Sequence, residues 1–174
     1  MGRRGFTLVE LLVVLAVGSI LLAIAIPGYA FLVSTSRLAA ATNDLVTALQ
    51  LARSEAVKRG VRVTVCKTAN VQSIAPACDV TASWQQGWLV FADDGTPGVI
   101  EPGDTLLRVQ EAAHSTVRIT ANNHISRFIS YLPSGRGHGS NGPSNGTFEI
   151  CVAGLRRDII INNAGRPRLF SGTC

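Results

Sequence analysis

The stretch RRGFTLVELLVVLAVGSILLAIAIPGY, residues 3–29, decides the architecture of this chain. Residues 6–26 form a run of twenty-one residues with one ionisable side chain, Glu10. At about 1.5 Å per residue, a helix of this length crosses the roughly 30 Å hydrocarbon core of a bilayer. Because the basic pair Arg3 and Arg4 lies only on its N-terminal side, the bulk of the chain is expected outside the cytoplasm.

A cleavable secretory signal is the competing interpretation, since the small residues 23–25 resemble a cleavage site. The length of the run and Glu10 argue against it. A carboxylate at the bilayer centre costs on the order of 3 kcal/mol, but Glu10 lies about 6 Å below Phe6 and can reach the interface. Glu10 is therefore either hydrated near the headgroups or paired with a cation.

The same string resembles the N-terminus of type IV pilins and of the pseudopilins of type II secretion. In that family a prepilin peptidase cleaves after the glycine, here Gly5, and methylates the new N-terminus, here Phe6. The glutamate five residues into the mature chain, here Glu10, is held to pair with the terminal amine of a neighbouring subunit, which brings a cation to a carboxylate in lipid.

The resemblance implies a leader at residues 1–5 and three partners: the prepilin peptidase, other pilin subunits and the inner membrane. It also implies a single-pass inner-membrane protein with a periplasmic globular domain before assembly, and a place in a pilus or pseudopilus afterwards.

The remaining helix pattern divides into two halves. Residues 6–33 form a hydrophobic half that Pro27 is expected to interrupt, because proline lacks a backbone donor. Residues 34–60 form an amphipathic half that ends at Gly60. Its apolar and small residues recur at helical spacing and are expected to pack on the globular domain: Leu38, Thr42, Leu45, Leu49, Ala52 and Ala56.

From residue 61 the period changes from 3.6 to 2, which indicates strands. Eight segments fit: residues 61–67, 87–92, 105–110, 115–120, 127–132, 147–153, 156–162 and 166–170. The glycine-rich stretch 134–146 is expected to be a hairpin loop. The fold class is therefore α+β: a long N-terminal helix packed on an antiparallel β-sheet or small sandwich, with residues 61–174 forming the β-rich globular domain.

The chain contains four cysteines, an even number that is typical of disulfides in an exported domain. Pairing of Cys66 with Cys78 and of Cys151 with Cys174 is the nearest-neighbour arrangement among three possible ones. A zinc site is the alternative, but the spacing contains no CxxC and the histidines lie far away in sequence.

No nucleophile–base, zinc-protease or phosphate-loop motif is present, so neither an enzyme activity nor a cofactor is expected. Acidic residues cluster in DDGTPGVIEPGD, namely Asp93, Asp94, Glu101 and Asp104. They could hold calcium, but without the twelve-residue EF-hand spacing a solvated acidic loop is the favoured interpretation.

Charge is distributed unevenly along the chain. Residues 105–174 contain eight arginines and three acids. A basic surface attracts polyanions, and the guanidinium group makes forked contacts with phosphate. The alternative explanation is compositional, because fourteen arginines against two lysines in the whole chain is consistent with nucleotide bias.

The segment NNAGRPRLF places Arg166 and Arg168 two residues apart in a predicted strand, where they would project to the same side, and Pro167 suits an edge strand. The globular half resembles the FimT/GspH group of minor pilins and pseudopilins, in which YLPSGRG precedes the penultimate strands. The FimT branch is associated with a C-terminal Gly-Arg-x-Arg motif implicated in DNA binding during natural transformation. GRPR, with Gly165, Arg166 and Arg168, matches this motif.

The resemblance thus implies a minor pilin that binds double-stranded DNA without sequence specificity and assists its uptake. Arg156, Arg157 and Arg136 are expected to widen the patch. The alternative function is a structural minor pilin or a type II secretion pseudopilin that primes filament assembly without binding DNA. Arginines dispersed over the surface or paired with acids would favour this alternative.

Overall fold

The protein is described by a computed structural model covering residues 7–143 and 145–174. Its first element is a single long helix, α1 (Leu8–Arg59), of fifty-two residues, which is about 78 Å at 1.5 Å per residue. Thr7 caps its start by accepting a hydrogen bond from the Glu10 N–H, and Gly60 ends it with a left-handed φ of 70°. Both ends follow ordinary capping rules.

Helix α1 continues through Pro27, so the predicted interruption at this residue is wrong. A proline removes one backbone donor from the helix. Helices in apolar surroundings tolerate such a loss, because the other backbone groups have no water to bond and stay paired within the helix.

The two halves of α1 differ in burial. In the first half the large apolar side chains are exposed, from Leu8 to Leu32. Among the described residues, α1 is the helix long and apolar enough to cross a membrane, with a mean hydropathy of 2.8 over its most apolar stretch. In the second half the residues predicted to face the domain are all buried: Leu38, Thr42, Leu45, Leu49, Ala52 and Ala56.

The rest of the described chain forms two antiparallel sheets. The first has the order β3-β2-β1-β5-β6-β7 and the second β10-β9-β8-β4. The strands are β1 (Val63–Lys67), β2 (Trp88–Ala92), β3 (Thr105–Gln110), β4 (Arg118–Ala121), β5 (Phe128–Tyr131), β6 (Gly137–Gly139), β7 (Gly142–Pro143), β8 (Gly146–Val152), β9 (Leu155–Ile161) and β10 (Pro167–Thr173). The α+β fold class and the eight predicted strands are confirmed.

Two strands were not predicted. Strands β6 and β7 lie in the glycine-rich stretch that was expected to be a hairpin loop, and they extend the first sheet beyond β5. Segments of three and two residues, rich in glycine, are too short to show a period of two.

The core lies between α1 and the inner faces of both sheets. Trp84 and Phe148 meet edge to face there, with ring centroids 4.8 Å apart, a geometry that aromatic rings favour. The disulfides are Cys66–Cys78, which closes a loop onto β1, and Cys151–Cys174, which ties the C-terminus to β8. The nearest-neighbour pairing is therefore confirmed.

The acidic loop folds onto itself. The Asp93 carboxylate is fully buried and accepts hydrogen bonds from Arg62 at 2.7 Å, from the Thr64 hydroxyl and from the Gly98 N–H. Carboxylates of this loop also accept bonds from the loop's own backbone N–H groups. Among residues 7–143 and 145–174, no group of three potential ligands is placed to hold a metal ion.

Candidate nucleic-acid interface

Two turns meet at one corner of the domain. The 162–166 turn joins β9 to β10, and within it Asn162 accepts hydrogen bonds from the N–H groups of Gly165 and Arg166, at 2.8 and 3.0 Å. The 132–136 turn joins β5 to β6 and is closed by the bond from the Leu132 N–H to the Arg136 carbonyl, at 2.9 Å. The local hydrogen bonds give each turn a defined shape.

Gly165 lies in the 162–166 turn and packs against the 132–136 turn. Its φ is +74°, in the left-handed region, and a Cβ at this position would lie 2.7 Å from the Gly135 carbonyl oxygen and 2.9 Å from the Tyr131 ring. Only glycine satisfies both demands without strain. The glycine of GRPR therefore holds the arginine-bearing turn against its neighbour.

Helix α1 supports the same corner from the other side. The Arg53 Nε donates a hydrogen bond to the Gly135 carbonyl at 3.0 Å. Tyr131 lies beneath, fully buried, and burial raises the pKa of its phenol well above the ordinary value, although the nearby Arg53 charge acts in the opposite direction. The phenol is therefore neutral at physiological pH, and the cations at this corner have no tyrosinate partner.

A groove of about 720 Å³ is lined by α1 and by the two turns. We define it by six of its lining residues, Arg53, Val57, Lys58, Gly135, Arg166 and Pro167. Three of these carry positive charge, and two others present apolar side chains. The groove lies near the C-terminal end of α1, about 30 Å along the helix from Val33, because Arg53 is twenty residues further on.

Three of the predicted arginines border this corner. Arg136, Arg166 and Arg168 are exposed, and among the described residues none of them lies within ion-pair distance of an acidic side chain. Arg168 is paired with Ile160 across the β9–β10 ladder. Since Ile159 and Ile161 face the core, Arg168 faces away from α1.

Arg166 lies one residue before β10, at the turn, where it lines the groove. The prediction that both side chains of GRPR project to the same side is therefore wrong: Arg166 lies in the turn before the strand and borders the groove beside α1, whereas Arg168 lies on the outer face of the sheet. Strand β10 is an edge strand, as Pro167 predicted.

The remaining two predicted arginines are in a different position. Arg156 lies 3.7 Å from Glu149 and 3.3 Å from Asp158, so its charge is largely compensated. Arg157 is half-buried and pairs with Ile150 and Ser171, on the face of the sheet opposite to Arg156. Arg156 thus lies on the same outer face of the sheet as Arg168 but with its charge compensated, whereas Arg157 lies on the inner face.

Comparison with known proteins places the chain in a family. The model of the family described as Type II transport protein GspH matches residues 41–165, more than half of the chain. The chain belongs to the GspH family. The model of the prokaryotic N-terminal methylation motif matches residues 1–26.

Individual relatives agree with this assignment. The chain is 29% identical to pilin-like protein PilA1 of Thermus thermophilus over 173 residues, covering 97% of this chain and 99% of the relative. Two crystal structures of the type IV minor pilin FimU of Pseudomonas aeruginosa share its fold. They have TM-scores of 0.57 and 0.53 at 22% and 23% identity, covering 78% and 75% of this chain and 90% of FimU.

As a GspH-family member with the N-terminal methylation motif, the chain is a pilin or pseudopilin, and this family consists of structural proteins. The methylation motif together with the exposed apolar half of α1 indicates membrane anchoring and assembly into a pilus or pseudopilus. The expected processing residues, Gly5 and Phe6, lie outside the described residues. Glu10 is exposed in the first turn of α1, and its pairing role remains a prediction.

The sequence alone did not indicate two residues at this corner, Arg53 and Lys58. Gly135, the contact of Arg53, is 82 residues away along the chain. The helical periodicity placed Lys58 off the apolar face of α1. No local pattern indicates which turn of the β-domain lies beside Lys58.

Proposed function

We propose that this chain is a minor pilin that binds double-stranded DNA without sequence specificity and assists DNA uptake in natural transformation. Arg136, Arg166 and Arg168 would make the main phosphate contacts. The observation that carries the proposal is that Arg136 and Arg166 lie in two adjoining turns and Arg168 at the start of β10, all three exposed and without acidic partners among the described residues.

The chemistry of this corner suits a phosphate backbone. Guanidinium groups make forked contacts with phosphate oxygens, and contacts of this kind carry affinity without reading bases. The corner also lies near the end of α1 remote from its exposed apolar half. A long polyanion can therefore approach it without meeting the membrane.

Base stacking is a lesser contribution. One aromatic side chain on β10, Phe170, is 57% exposed and lies two residues from Arg168. Proteins that bind single strands usually offer several stacked rings. We therefore expect duplex DNA to bind at least as tightly as a single strand of the same length.

The second candidate is a structural minor pilin or pseudopilin that primes assembly without binding DNA. Pairing of Arg156 with Glu149 and Asp158 favours it, because this part of the predicted patch holds β-strands together instead of offering free charge. The two candidates share the anchoring helix and differ only in what the arginine corner does.

The test is fluorescence anisotropy with the full-length chain in a non-ionic detergent and a labelled duplex, at about 50 and 200 mM salt. With two to four phosphates neutralised, the slope of log affinity against log salt is expected to be about −2 to −4, so that affinity falls about 15- to 250-fold between the two conditions. Arg166→Ala/Arg168→Ala should lose most of the binding and reduce the magnitude of the slope by about 2.

The matched control is Arg108→Ala/Arg118→Ala, which removes the same charge from β3 and β4, away from the corner. It should leave the slope nearly unchanged. A wild-type slope near zero, or equal losses in both double variants, would contradict DNA binding at this corner and favour the structural candidate.

A further inference from the structure

The groove beside the arginine corner is lined by cations from two distant parts of the chain. Arg53 and Lys58 come from α1, and Arg166 comes from the β9–β10 turn. We infer that this groove continues the DNA-binding surface onto α1, so that the phosphate backbone lies in the open groove lined by α1 and the β9–β10 turn and contacts Lys58 and Arg53. The inference rests on the proposed function and adds residues that the GRPR motif does not contain.

Lys58 is available for such a contact. Its side chain is 77% exposed, and its nearest acid, Glu55, is 3.6 Å away. Glu55 is also held by Arg59, through a short hydrogen bond from Nε. Because the Lys58 end of the pair is in solvent, where such pairs are weak, and Glu55 already has a second partner, the Lys58 ammonium can turn to a phosphate at low cost.

Arg53 acts differently. Its Nε is committed to the Gly135 carbonyl, which fixes the guanidinium beside the groove. A guanidinium has five N–H donors, so this single bond leaves the terminal nitrogens to donate to a phosphate. Arg53 thus both supports the 132–136 turn and offers a preorganised charge.

The form of the groove favours an extended polyanion over a small anion. Its volume of about 720 Å³ is far larger than one phosphate group needs, and its cations come from both α1 and the β9–β10 turn. Val57 and Pro167 provide apolar wall between the charges, which suits sugar rings. Arg136 lies in the 132–136 turn and borders a neighbouring cavity with Ser134 and Asn163, so positive charge continues beyond the groove.

The experiment compares the only two lysines of the chain, Lys58 and Lys67. Lys67 is remote from the corner. The end of β1 near the corner is Val63, which pairs with Tyr131 beneath Gly165, and Lys67 lies at the opposite end of the strand. The full-length Lys58→Ala and Lys67→Ala variants are titrated with the labelled duplex across a salt series. Lys58→Ala should weaken binding about 3- to 10-fold and reduce the magnitude of the salt slope by about 1, whereas Lys67→Ala should match the wild type.

Glu55→Gln provides a readout that damage to the fold would not produce. It removes the acid beside Lys58, so we expect binding to become about 2- to 5-fold tighter. Unchanged or weaker binding would contradict the inference.

The outcomes separate the groove from the proposed function. If Lys58→Ala equals Lys67→Ala while Arg166→Ala/Arg168→Ala still loses binding, the groove inference is overturned and DNA binding by the turn stands. If the wild type does not bind the duplex, the proposed function itself is contradicted, and the groove inference with it. If poly-glutamate binds in a Lys58-dependent manner while the duplex does not, the occupant is an acidic peptide and the inference for DNA is overturned.

Discussion

Gly165 is the residue whose conformation and packing most directly position the arginine corner. Its positive φ and its close approach to Gly135 and Tyr131 exclude a side chain for two separate reasons. A left-handed φ costs an L-residue about 1–2 kcal/mol, and a clash with backbone adds to this.

We therefore predict that Gly165→Ala destabilises the domain by about 2–3 kcal/mol and weakens DNA binding. Gly154→Ala is the matched control, because Gly154 has a similar φ of +84° and a Cβ added there would have no atom within 4 Å. It should cost only about 1 kcal/mol. Denaturant unfolding followed by fluorescence of the buried Trp84 and Trp88 measures both; equal losses would show that the contact with Gly135 contributes nothing.

At the scale of elements, the decisive piece is β10, an edge strand that carries Arg168 and ends at a disulfide. Within the described chain it pairs only with β9 along its whole length, and its side chains Leu169 and Phe170 are more than half exposed. Because little buried surface stabilises β10, we expect the disulfide between Cys174 and Cys151 on β8 to be the main constraint on local unfolding of this strand.

We predict that Cys151→Ser/Cys174→Ser lowers stability by about 3 kcal/mol through loop closure over a separation of 23 residues. Hydrogen exchange should become faster in β10 while β1 stays protected. Cys66→Ser/Cys78→Ser, the control, opens a loop with a separation of 12 residues and should leave β10 protection unchanged. Protection of β10 that survives loss of its disulfide would show that the ladder with β9 is sufficient.

At the scale of the whole molecule, α1 belongs to two environments. Its second half is buried in the domain core, and its first half exposes a continuous apolar surface that the described residues do not cover. Glu10 interrupts this surface one turn from the N-terminal end of α1. A carboxylate at such a place is costly in lipid unless a cation reaches it.

We predict that Glu10→Ala inserts into the membrane normally but enters filaments poorly, because the cation of a neighbouring subunit's N-terminus loses its partner. Glu10→Asp, which keeps the charge, should retain part of the incorporation. Membrane fractionation and immunodetection in sheared filaments measure the two steps separately. Normal incorporation of Glu10→Ala would contradict the pairing role.

Several features could be predicted from local sequence because they depend on local periodicity. The apolar run, the buried face of Leu38, Leu45 and Leu49 and the eight longer strands all show in the spacing of side chains, which reports which face of an element is buried. Strands β6 and β7 could not be predicted in this way, since they are too short and glycine-rich to have a period.

The amino-acid sequence by itself determined that an apolar helix leads into an amphipathic one and then into an antiparallel β-domain, and its N-terminal and GRPR motifs indicated the family. Which charged side chains lie close together depends on the tertiary structure. It brought Arg53 of α1 to Gly135, the contact of Gly165, set Arg156 against Glu149 and Asp158 and put Arg157 on the opposite face. The physical reason is that periodicity fixes the direction of a side chain relative to its own element, whereas its neighbours depend on how remote elements pack together.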